Sequence, residues 1–439
     1  MQKAQTILSA DIGTSSLKAA YISEEGFVYA FCRVRFENQI KNKEALEWKN
    51  AFIKALKILS SKAPAIKPNA VCISGNGPSV VCDDGTCVLW NTDISDCPSV
   101  ETSSLFIPRI LYLKNRFTES FEKSKYIFSG PEFLCYLLTG EAKTFLPEKR
   151  YTNAYWTDDE LNRFGFTDEE KNKFPEFKFS GELLGCITKQ ASEWLENIVC
   201  EGTEVFCGAP DFISDLAGCA IVNPLRLLNR TGSGEGFNLC IKNQLYYTGL
   251  RTLPSFINDL WNISFLSKDS GLSLERIKCD FAKNVCEENA SFLEEKNLCE
   301  TKNENFTEKI FNLLLKNFYS EKTKVNQFTV KEKAPLSYKK AAEQIDSLLA
   351  SLKDGVNLLR TFCKENNLSF PASMTVTGGQ AFSREYLKLK ALYLNIEIEV
   401  PSFTDCELMG NAAFALYGMK KYPSIKQACE SLYKAEKIK

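Results

Sequence analysis

Two segments of the chain share one local design, in which an apolar strand meets a turn of glycine and hydroxyl residues and a second apolar strand follows. The first segment is Ala10-Asp-Ile-Gly-Thr-Ser-Ser-Leu-Lys-Ala19, and the second is Arg226-Leu-Leu-Asn-Arg-Thr-Gly-Ser-Gly-Glu-Gly-Phe-Asn-Leu-Cys240. Asp, Gly, Ser and Thr build turns for local reasons, so turn chemistry explains either segment taken alone. The repetition predicts two halves that begin alike, with hairpin tips whose N–H groups and hydroxyls can bind an anion.

The size and charge of the chain restrict its architecture and its partners. A length of 439 residues predicts two or three domains. The 54 basic residues are balanced by 55 acidic ones, which disfavours nucleic acid and anionic membranes as partners. The first residues do not form a signal peptide, and no apolar run is long enough to cross a membrane. We therefore expect a cytoplasmic protein.

The chain contains 17 cysteines and no histidine. The cysteines are scattered through apolar segments without paired spacing, which predicts free buried thiols. Without histidine there is no His-ligated zinc, no Ser-His triad and no histidine base. A carboxylate or a lysine must therefore carry out any acid–base step.

The alternation of apolar runs predicts a mixed α/β protein. We expect three strands within residues 6–36, a helix over 44–60 and a strand over 69–74. A strand over 203–207 leads to Gly208-Ala-Pro-Asp211 and a helix over 212–220. Residues 266–335 are rich in Lys, Glu and Asn, which predicts solvated helices and loops inserted in the second half.

A glycine pair forms a further candidate binding element near the end of the chain. A strand over 374–377 leads into Gly378-Gly-Gln-Ala-Phe-Ser383, and a helix over 384–391 follows. Glycines at the start of a helix leave room for a flat ring or a phosphate. A plain strand-to-helix turn is the alternative.

Seven short motifs follow one another along nearly the whole chain. They are Asp11-Ile-Gly-Thr-Ser15, Ile73-Ser-Gly-Asn-Gly-Pro-Ser79, Leu138-Thr-Gly140, Gly208-Ala-Pro-Asp211, Gly232-Ser-Gly234, Gly378 to Ser383 and Glu407-Leu-Met-Gly-Asn-Ala-Ala413. This ordered set resembles the FGGY family of carbohydrate kinases, with its DxGT hairpin, SGQ sugar loop, LTG turn, GxD motif, GTS turn, GGxxxS adenosine motif and E-x-x-G-A-A helix. The resemblance implies an α/β, two-domain actin/hexokinase-like (ribonuclease H-like) fold with an interdomain cleft. It also implies a sugar-binding and catalytic domain over 1–222 and an ATP-binding domain over 223–439.

The resemblance also implies roles for particular residues. Asp211 would be the catalytic base, although an N-cap is the alternative role of an Asp at a strand-to-helix junction. Asp11 would hold Mg²⁺ through water. The implied ATP and phosphate contacts are Gly13, Thr14, Ser15, Gly232, Ser233, Gly378, Gly379 and Ser383. The implied sugar contacts are Asn76, Trp90, Asp93 and Asp211, and Trp90 has core packing as its alternative. Lys18 is expected on the second strand rather than on a phosphate.

Several departures from the family pattern bear on activity. The sugar loop has Asn76-Gly-Pro78 where xylulokinase-like members commonly have Gln followed by Met-His, and position 95 is serine where the family's W-x-D-x-R segment has arginine. Glu235 places an uncommon carboxylate beside the second hairpin tip, where it would repel a triphosphate unless it points away or joins the metal.

Two functions therefore stay open. The chain is either an ATP-dependent kinase of a xylulose-like ketose or polyol, or a catalytically weak or inactive relative that senses nucleotide or sugar. The retained Asp11 and Asp211 favour the enzyme. Sugar and ATP are the expected partners, and the choice between a monomer and a homodimer is open.

Overall fold

The computed structural model describes residues 5–37, 39–97, 99–289 and 336–438. They form two compact units, each built around a mixed sheet. The first unit comprises Met1–Val222, Pro254–Asp259 and Asp405–Tyr433. The second unit comprises Asn223–Leu253, Leu260–Thr404 and Lys434–Lys439.

The strands and helices are short except for three long helices. The strands are β1 Thr6–Ile12, β2 Ser16–Ser23, β3 Val28–Arg35, β4 Ala70–Gly75, β5 Val80–Cys82, β6 Cys87–Val88, β7 Ile127–Phe128, β8 Thr144–Leu146, β9 Phe177–Phe179, β10 Leu183–Cys186, β11 Glu204–Pro210, β12 Leu227–Thr231, β13 Glu235–Ile241, β14 Arg251–Pro254, β15 Trp261–Ser267, β16 Ser373–Gly378, β17 Glu397–Pro401 and β18 Ala435–Lys437. The helices are α1 Ala45–Lys62, α2 Ile107–Arg116, α3 Thr118–Lys123, α4 Glu132–Thr139, α5 Thr152–Tyr155, α6 Asp158–Arg163, α7 Asp168–Lys171, α8 Lys189–Trp194, α9 Asp211–Gly218, α10 Ser270–Asn289, α11 Leu336–Glu365, α12 Arg384–Leu394, α13 Cys406–Gly418 and α14 Ile425–Leu432. Short 3-10 helices cover Lys149–Tyr151 and Gly379–Phe382.

The two sheets repeat one topology. In the first unit the strand order is β10-β11-β4-β1-β2-β3, where β1, β2 and β3 are antiparallel neighbours and β4 and β11 run parallel to β1. In the second unit the order is β14-β15-β13-β12-β16-β17-β18, where β12, β13 and β15 are antiparallel and β16 and β17 run parallel to β12. The prediction that the two halves begin alike is confirmed.

Apolar periodicity explains why the long helices form and where they pack. Trp48, Phe52, Leu56 and Leu59 recur at helical spacing along α1 and are buried against β2 and β3. In the second unit α11 presents a similar stripe, which packs against β13, β15 and α10. Each unit therefore has its own hydrophobic core.

Two glycines allow α9 and α13 to cross with their backbones in contact. A Cβ on Gly218 would lie 1.9 Å from the Cys406 carbonyl oxygen, and one on Gly410 would lie 1.9 Å from that of Ser214. Asn411 on α13 donates to the carbonyl oxygen of Ala10 at 2.8 Å. These contacts explain why Asp405–Tyr433 groups with the first unit, whereas the sequence-based division placed all of 223–439 in the second domain.

The sequence-based element predictions agree with the structure. The three strands within 6–36, the helix over 44–60 and both turn-flanked hairpins are confirmed. The fifteen cysteines whose side chains the structure describes are free thiols, as expected, and most of them are buried, but Cys186, Cys200 and Cys279 are exposed. The described part of the predicted solvated insert, 266–289, is the end of β15 and α10, while 290–335 lie outside the described residues. Among the described residues, no helix has both the length and the apolar character needed to cross a bilayer.

Candidate active site

The first hairpin presents two exposed hydroxyl residues at its tip. The N–H of Gly13 donates to the carbonyl oxygen of Ser16 at 2.9 Å, which closes the turn between β1 and β2. Thr14 and Ser15 are exposed at this tip, as a phosphate-binding role requires. A Cβ on Gly13 would lie 3.0 Å from the Ser16 oxygen, so the tight turn favours glycine.

Asp11 lies at the carboxyl end of β1 and is buried. The Ser74 hydroxyl, on the neighbouring parallel strand β4, donates to Asp11 Oδ1 at 2.7 Å. Burial raises the pKa of Asp11 to about 8, and the charges of Glu407 and Asp211 contribute to the rise. Lys18 and the Ser74 hydrogen bond lower the pKa of Asp11, but by less than burial raises it.

Asp211 directly follows β11 and is the first residue of α9. Its Oδ1 accepts the N–H of Phe212 at 2.6 Å, which orients the half-buried carboxylate. The N-cap position belongs to Pro210, and no side chain caps the helix there, so the N-cap alternative for Asp211 is wrong. Its charge acts on Asp11, which places both predicted carboxylates in one electrostatic environment.

Lys18 is on β2, as expected, and its ammonium faces carboxylates. Its Nζ lies 3.0 Å from Asp405 Oδ1 and also contacts Glu407 Oε1. Burial lowers the pKa of Lys18, but the charges of Glu407, Asp11 and Asp405 outweigh that effect and raise it. Glu407 was identified from its sequence pattern only as part of a helix motif. In the structure, Glu407 contacts Lys18, and its negative charge contributes to the raised pKa of Asp11.

The predicted sugar residues separate into two groups. Asn76 Nδ2 and Trp90 Nε1 both donate to Thr14 Oγ1, at 3.2 and 3.1 Å. Trp90 is 37% exposed, which excludes core packing as its role. Asp93 instead is an exposed turn residue that accepts the N–H of Ser95 at 3.0 Å. The structure thus joins Asn76 and Trp90 to the first hairpin and gives Asp93 a local turn contact.

Arg109 is a residue that the sequence reasoning missed. It lies on α2 and donates from Nε to the carbonyl oxygen of Leu89 at 3.2 Å and from Nη2 to that of Trp90. Its signal in the sequence was weak, because it lies far along the chain from the W-x-D-x-R segment that it contacts.

The second hairpin has an exposed tip that rests on helix α10. The N–H of Gly232 donates to the carbonyl oxygen of Gly234 at 2.9 Å, and that of Leu272 donates to Ser233 at 3.0 Å. Gly232 and Ser233 are exposed. A Cβ on Gly271 would lie 1.8 Å from the Gly232 oxygen, so this glycine permits the close contact.

The glycine pair lies at the end of β16, the strand beside β12. Gly378 has φ +80°, and a Cβ there would lie 1.9 Å from the Thr231 oxygen, so two constraints favour glycine. A Cβ on Gly379 would meet no atom within 4 Å, which leaves open space for a ligand. The Ser383 hydroxyl is buried and has no hydrogen-bond partner among the described residues. Its predicted contact with ATP would require that it turn towards the ligand.

Glu235 points into the second unit rather than towards the hairpin tip. It is fully buried, and its Oε2 lies 2.5 Å from Lys390 Nζ. Gln380 Nε2 donates to Glu235 Oε1 at 2.7 Å, and Lys390 also donates to Asn229 Oδ1 at 2.6 Å. Glu235 is therefore not expected to repel a triphosphate, because its carboxylate points away from the hairpin tip and is paired with Lys390.

Comparisons with known proteins extend over the full chain. A xylulose kinase of Staphylococcus epidermidis is 22% identical over 482 aligned residues, which cover 99% of this chain and 92% of the relative. The crystal structure of ligand-bound xylulose kinase from Lactobacillus acidophilus matches with a TM-score of 0.73 at 14% identity, over 98% of this chain and 93% of that one. Glycerol kinase with ADP from Plasmodium falciparum matches with a TM-score of 0.70 at 15% identity, over 99% and 93%. No family model matches the chain.

The chain is therefore similar over its full length to a xylulose kinase, and its motifs resemble those of the FGGY family of carbohydrate kinases. The structural matches establish the two-domain, mixed α/β, actin-like fold expected from the motifs.

Proposed function

We propose that this protein is a kinase of the FGGY family that transfers the γ-phosphate of ATP to a hydroxyl of a xylulose-like ketose or polyol. One observation carries the proposal. Asp11 and Asp211 lie at the carboxyl ends of β1 and β11, two parallel strands on either side of β4, and their charges interact. Ligands of open α/β sheets bind beyond the carboxyl ends of the strands.

Asp211 is proposed as the general base. The N–H of Phe212 fixes the orientation of its carboxylate at 2.6 Å, and the rest of α9 holds the backbone. In the reaction the carboxylate accepts the proton of the attacking sugar hydroxyl, which leaves the oxygen negative enough to attack phosphorus. A positioned base typically contributes about 10²- to 10⁴-fold in rate.

The residues around Asp11 fit a magnesium ion. Carboxylate oxygens are ligands that Mg²⁺ prefers, and Asp11, Asp211 and Glu407 together hold more negative charge than Lys18 neutralises. The pKa of Asp11 is raised first by burial and then by the charge of Glu407, and a bound cation would lower it. When bound, Mg²⁺ neutralises charge on the phosphates of ATP. Asp11 is proposed to hold it through water.

The nucleotide contacts are proposed on the exposed glycines and hydroxyls described above. Thr14, Ser15 and Ser233 offer hydroxyls to phosphate oxygens, and backbone N–H groups at such turns bind anions. Gly379 leaves open space beside a helix start, where an adenosine would fit, and Gly378 permits the close turn that leads to it. The inward direction of Glu235 supports the enzyme over the sensor, because one of the reasons for doubting activity disappears.

The function is tested by measuring ATP consumption with Mg²⁺ against a panel of pentuloses, hexuloses, aldoses and polyols. We expect turnover on a ketose or polyol, and loss of that turnover in Asp211→Asn. Asp159→Asn is the matched control, because Asp159 is an exposed acid in the first turn of another helix of the same unit. If no sugar is phosphorylated while ATP still binds, the sensor replaces the kinase as the function.

A further inference from the structure

Trp90 is held at three atoms by three different parts of the first unit. Its backbone N–H donates to Ser79 Oγ at 3.1 Å. Its indole Nε1–H donates to Thr14 Oγ1 at 3.1 Å. Its carbonyl oxygen accepts a hydrogen bond from Arg109 Nη2. The indole bond restrains a side chain that is 37% exposed, and the two backbone bonds hold the segment that carries it, which points to a role for this arrangement.

Arg109 holds two consecutive carbonyl oxygens of the segment that carries Trp90. Its Nε donates to the carbonyl oxygen of Leu89 at 3.2 Å while its Nη2 donates to the next carbonyl, that of Trp90. The guanidinium is a planar fork of fixed geometry, so two simultaneous bonds define the position of both acceptors. Since Arg109 is half-buried on helix α2, it is itself fixed by the helix.

The indole bond connects this restraint to the first hairpin. Thr14 Oγ1 accepts from both Trp90 and Asn76, and a hydroxyl has two acceptor positions and one proton to donate. With both acceptor positions used, the proton of the exposed Thr14 hydroxyl is available to an external acceptor such as a phosphate or sugar oxygen. Trp90 therefore helps to orient one of the proposed ligand-binding groups.

We propose that Arg109 is a positioning residue of the sugar site: it clamps the Leu89–Trp90 backbone so that the indole stays on Thr14 with its exposed part open to the C–H face of a sugar or polyol. This inference rests on the proposed function. Position 95, where an arginine two residues after Asp93 would be expected from the family pattern, is serine, and Arg109 reaches the same segment from a separate helix.

The first test is a double-mutant cycle in steady-state kinetics with Arg109→Met, Trp90→Phe and the double variant. Loss of the clamp is expected to raise KM for the sugar by about tenfold to a hundredfold, the range associated with a misplaced contact group, with a smaller rise in KM for ATP because Thr14 is also a proposed phosphate contact. Arg109→Lys should raise KM for the sugar less than Arg109→Met does, because an ammonium can still reach one of the two carbonyl oxygens. If Arg109 acts through Trp90, the double variant is no worse than Trp90→Phe alone.

Arg116→Met is the matched control. Arg116 lies on the same helix and forms an exposed ion pair with Asp96, so its loss should leave the sugar KM near that of the wild type. The proposal is overturned if the losses of Arg109→Met and Trp90→Phe multiply, or if Arg116→Met raises the sugar KM as much as Arg109→Met does.

A second measurement needs no substrate. The chain has five tryptophans, so the difference in acrylamide quenching between the wild type and Trp90→Phe isolates Trp90. Arg109→Met should increase the quenching of that component, and Arg116→Met should not. If the wild type phosphorylates no sugar but this increase is seen, the proposed function fails while the clamp stands; unchanged quenching in Arg109→Met overturns the clamp itself.

Discussion

Replacing Lys390 by methionine should lower the free energy of unfolding far more than the same replacement at Lys388 on the same helix. Lys390 and Glu235 are both fully buried and lie 2.5 Å apart, and Asn229 and Gln380 complete the hydrogen bonds. Burial lowers the pKa of Lys390, and Glu235 offsets part of that effect. Removing one partner of a buried ion pair leaves an uncompensated charge and costs about 3–5 kcal/mol of unfolding free energy.

The comparison variant is Lys388→Met, two residues earlier on α12. Lys388 pairs with Glu385 at 3.5 Å near the surface, and such a pair contributes about 0–1 kcal/mol. Urea unfolding followed by circular dichroism gives both free energies under the same conditions. The combined Glu235→Gln, Lys390→Met variant should be less destabilised than the sum of its single changes, because neither charge is then left alone. Equal costs for Lys390→Met and Lys388→Met would refute the reasoning.

Three further outcomes are expected. Asp211→Asn should lower kcat by about 10²- to 10⁴-fold with ATP affinity preserved, measured by coupled assay and calorimetry; an equal loss of ATP affinity would contradict its role as a base. The pKa of Asp11 rises on folding, so the folded state binds more protons than the unfolded state. Without Mg²⁺, the stability of the protein should therefore fall as pH increases from about 4 to about 8. In thermal unfolding, Asp11→Asn should lose both this pH dependence and any stabilisation by Mg²⁺ at pH 8. Gly410→Ala should cost about 1–3 kcal/mol because its Cβ would overlap the Ser214 oxygen, whereas Gly379→Ala, with no atom within 4 Å, should leave the urea midpoint unchanged.

The fold was largely predictable because its signals are local. Each hairpin combines apolar strands with a glycine turn, and α1 shows a regular apolar stripe, so short windows of sequence determine these elements. Asp211 was predicted at the right junction for the same reason. The order of the motifs along the chain then indicated its resemblance to one family.

The contacts that modify the site were not predictable, because they join residues distant in sequence. Glu235 looks like a liability beside a hairpin tip until Lys390, on α12, is seen to pair with it. Arg109 has no motif of its own, and its importance appears only from the two carbonyl oxygens that it contacts. Asp93 matched a motif, but its contact with Ser95 is local.

The return of Asp405–Tyr433 to the first unit has a consequence for synthesis on the ribosome. Helix α13 hydrogen-bonds to β1 through Asn411 and packs against α9, the helix that begins at Asp211. The core of the first unit therefore cannot close until Asp405–Tyr433, far along the chain from residue 222, has been translated. A fragment that stops at residue 222 would expose the surface that α13 covers, so we expect it to need chaperones or to aggregate, even though it contains both proposed catalytic carboxylates.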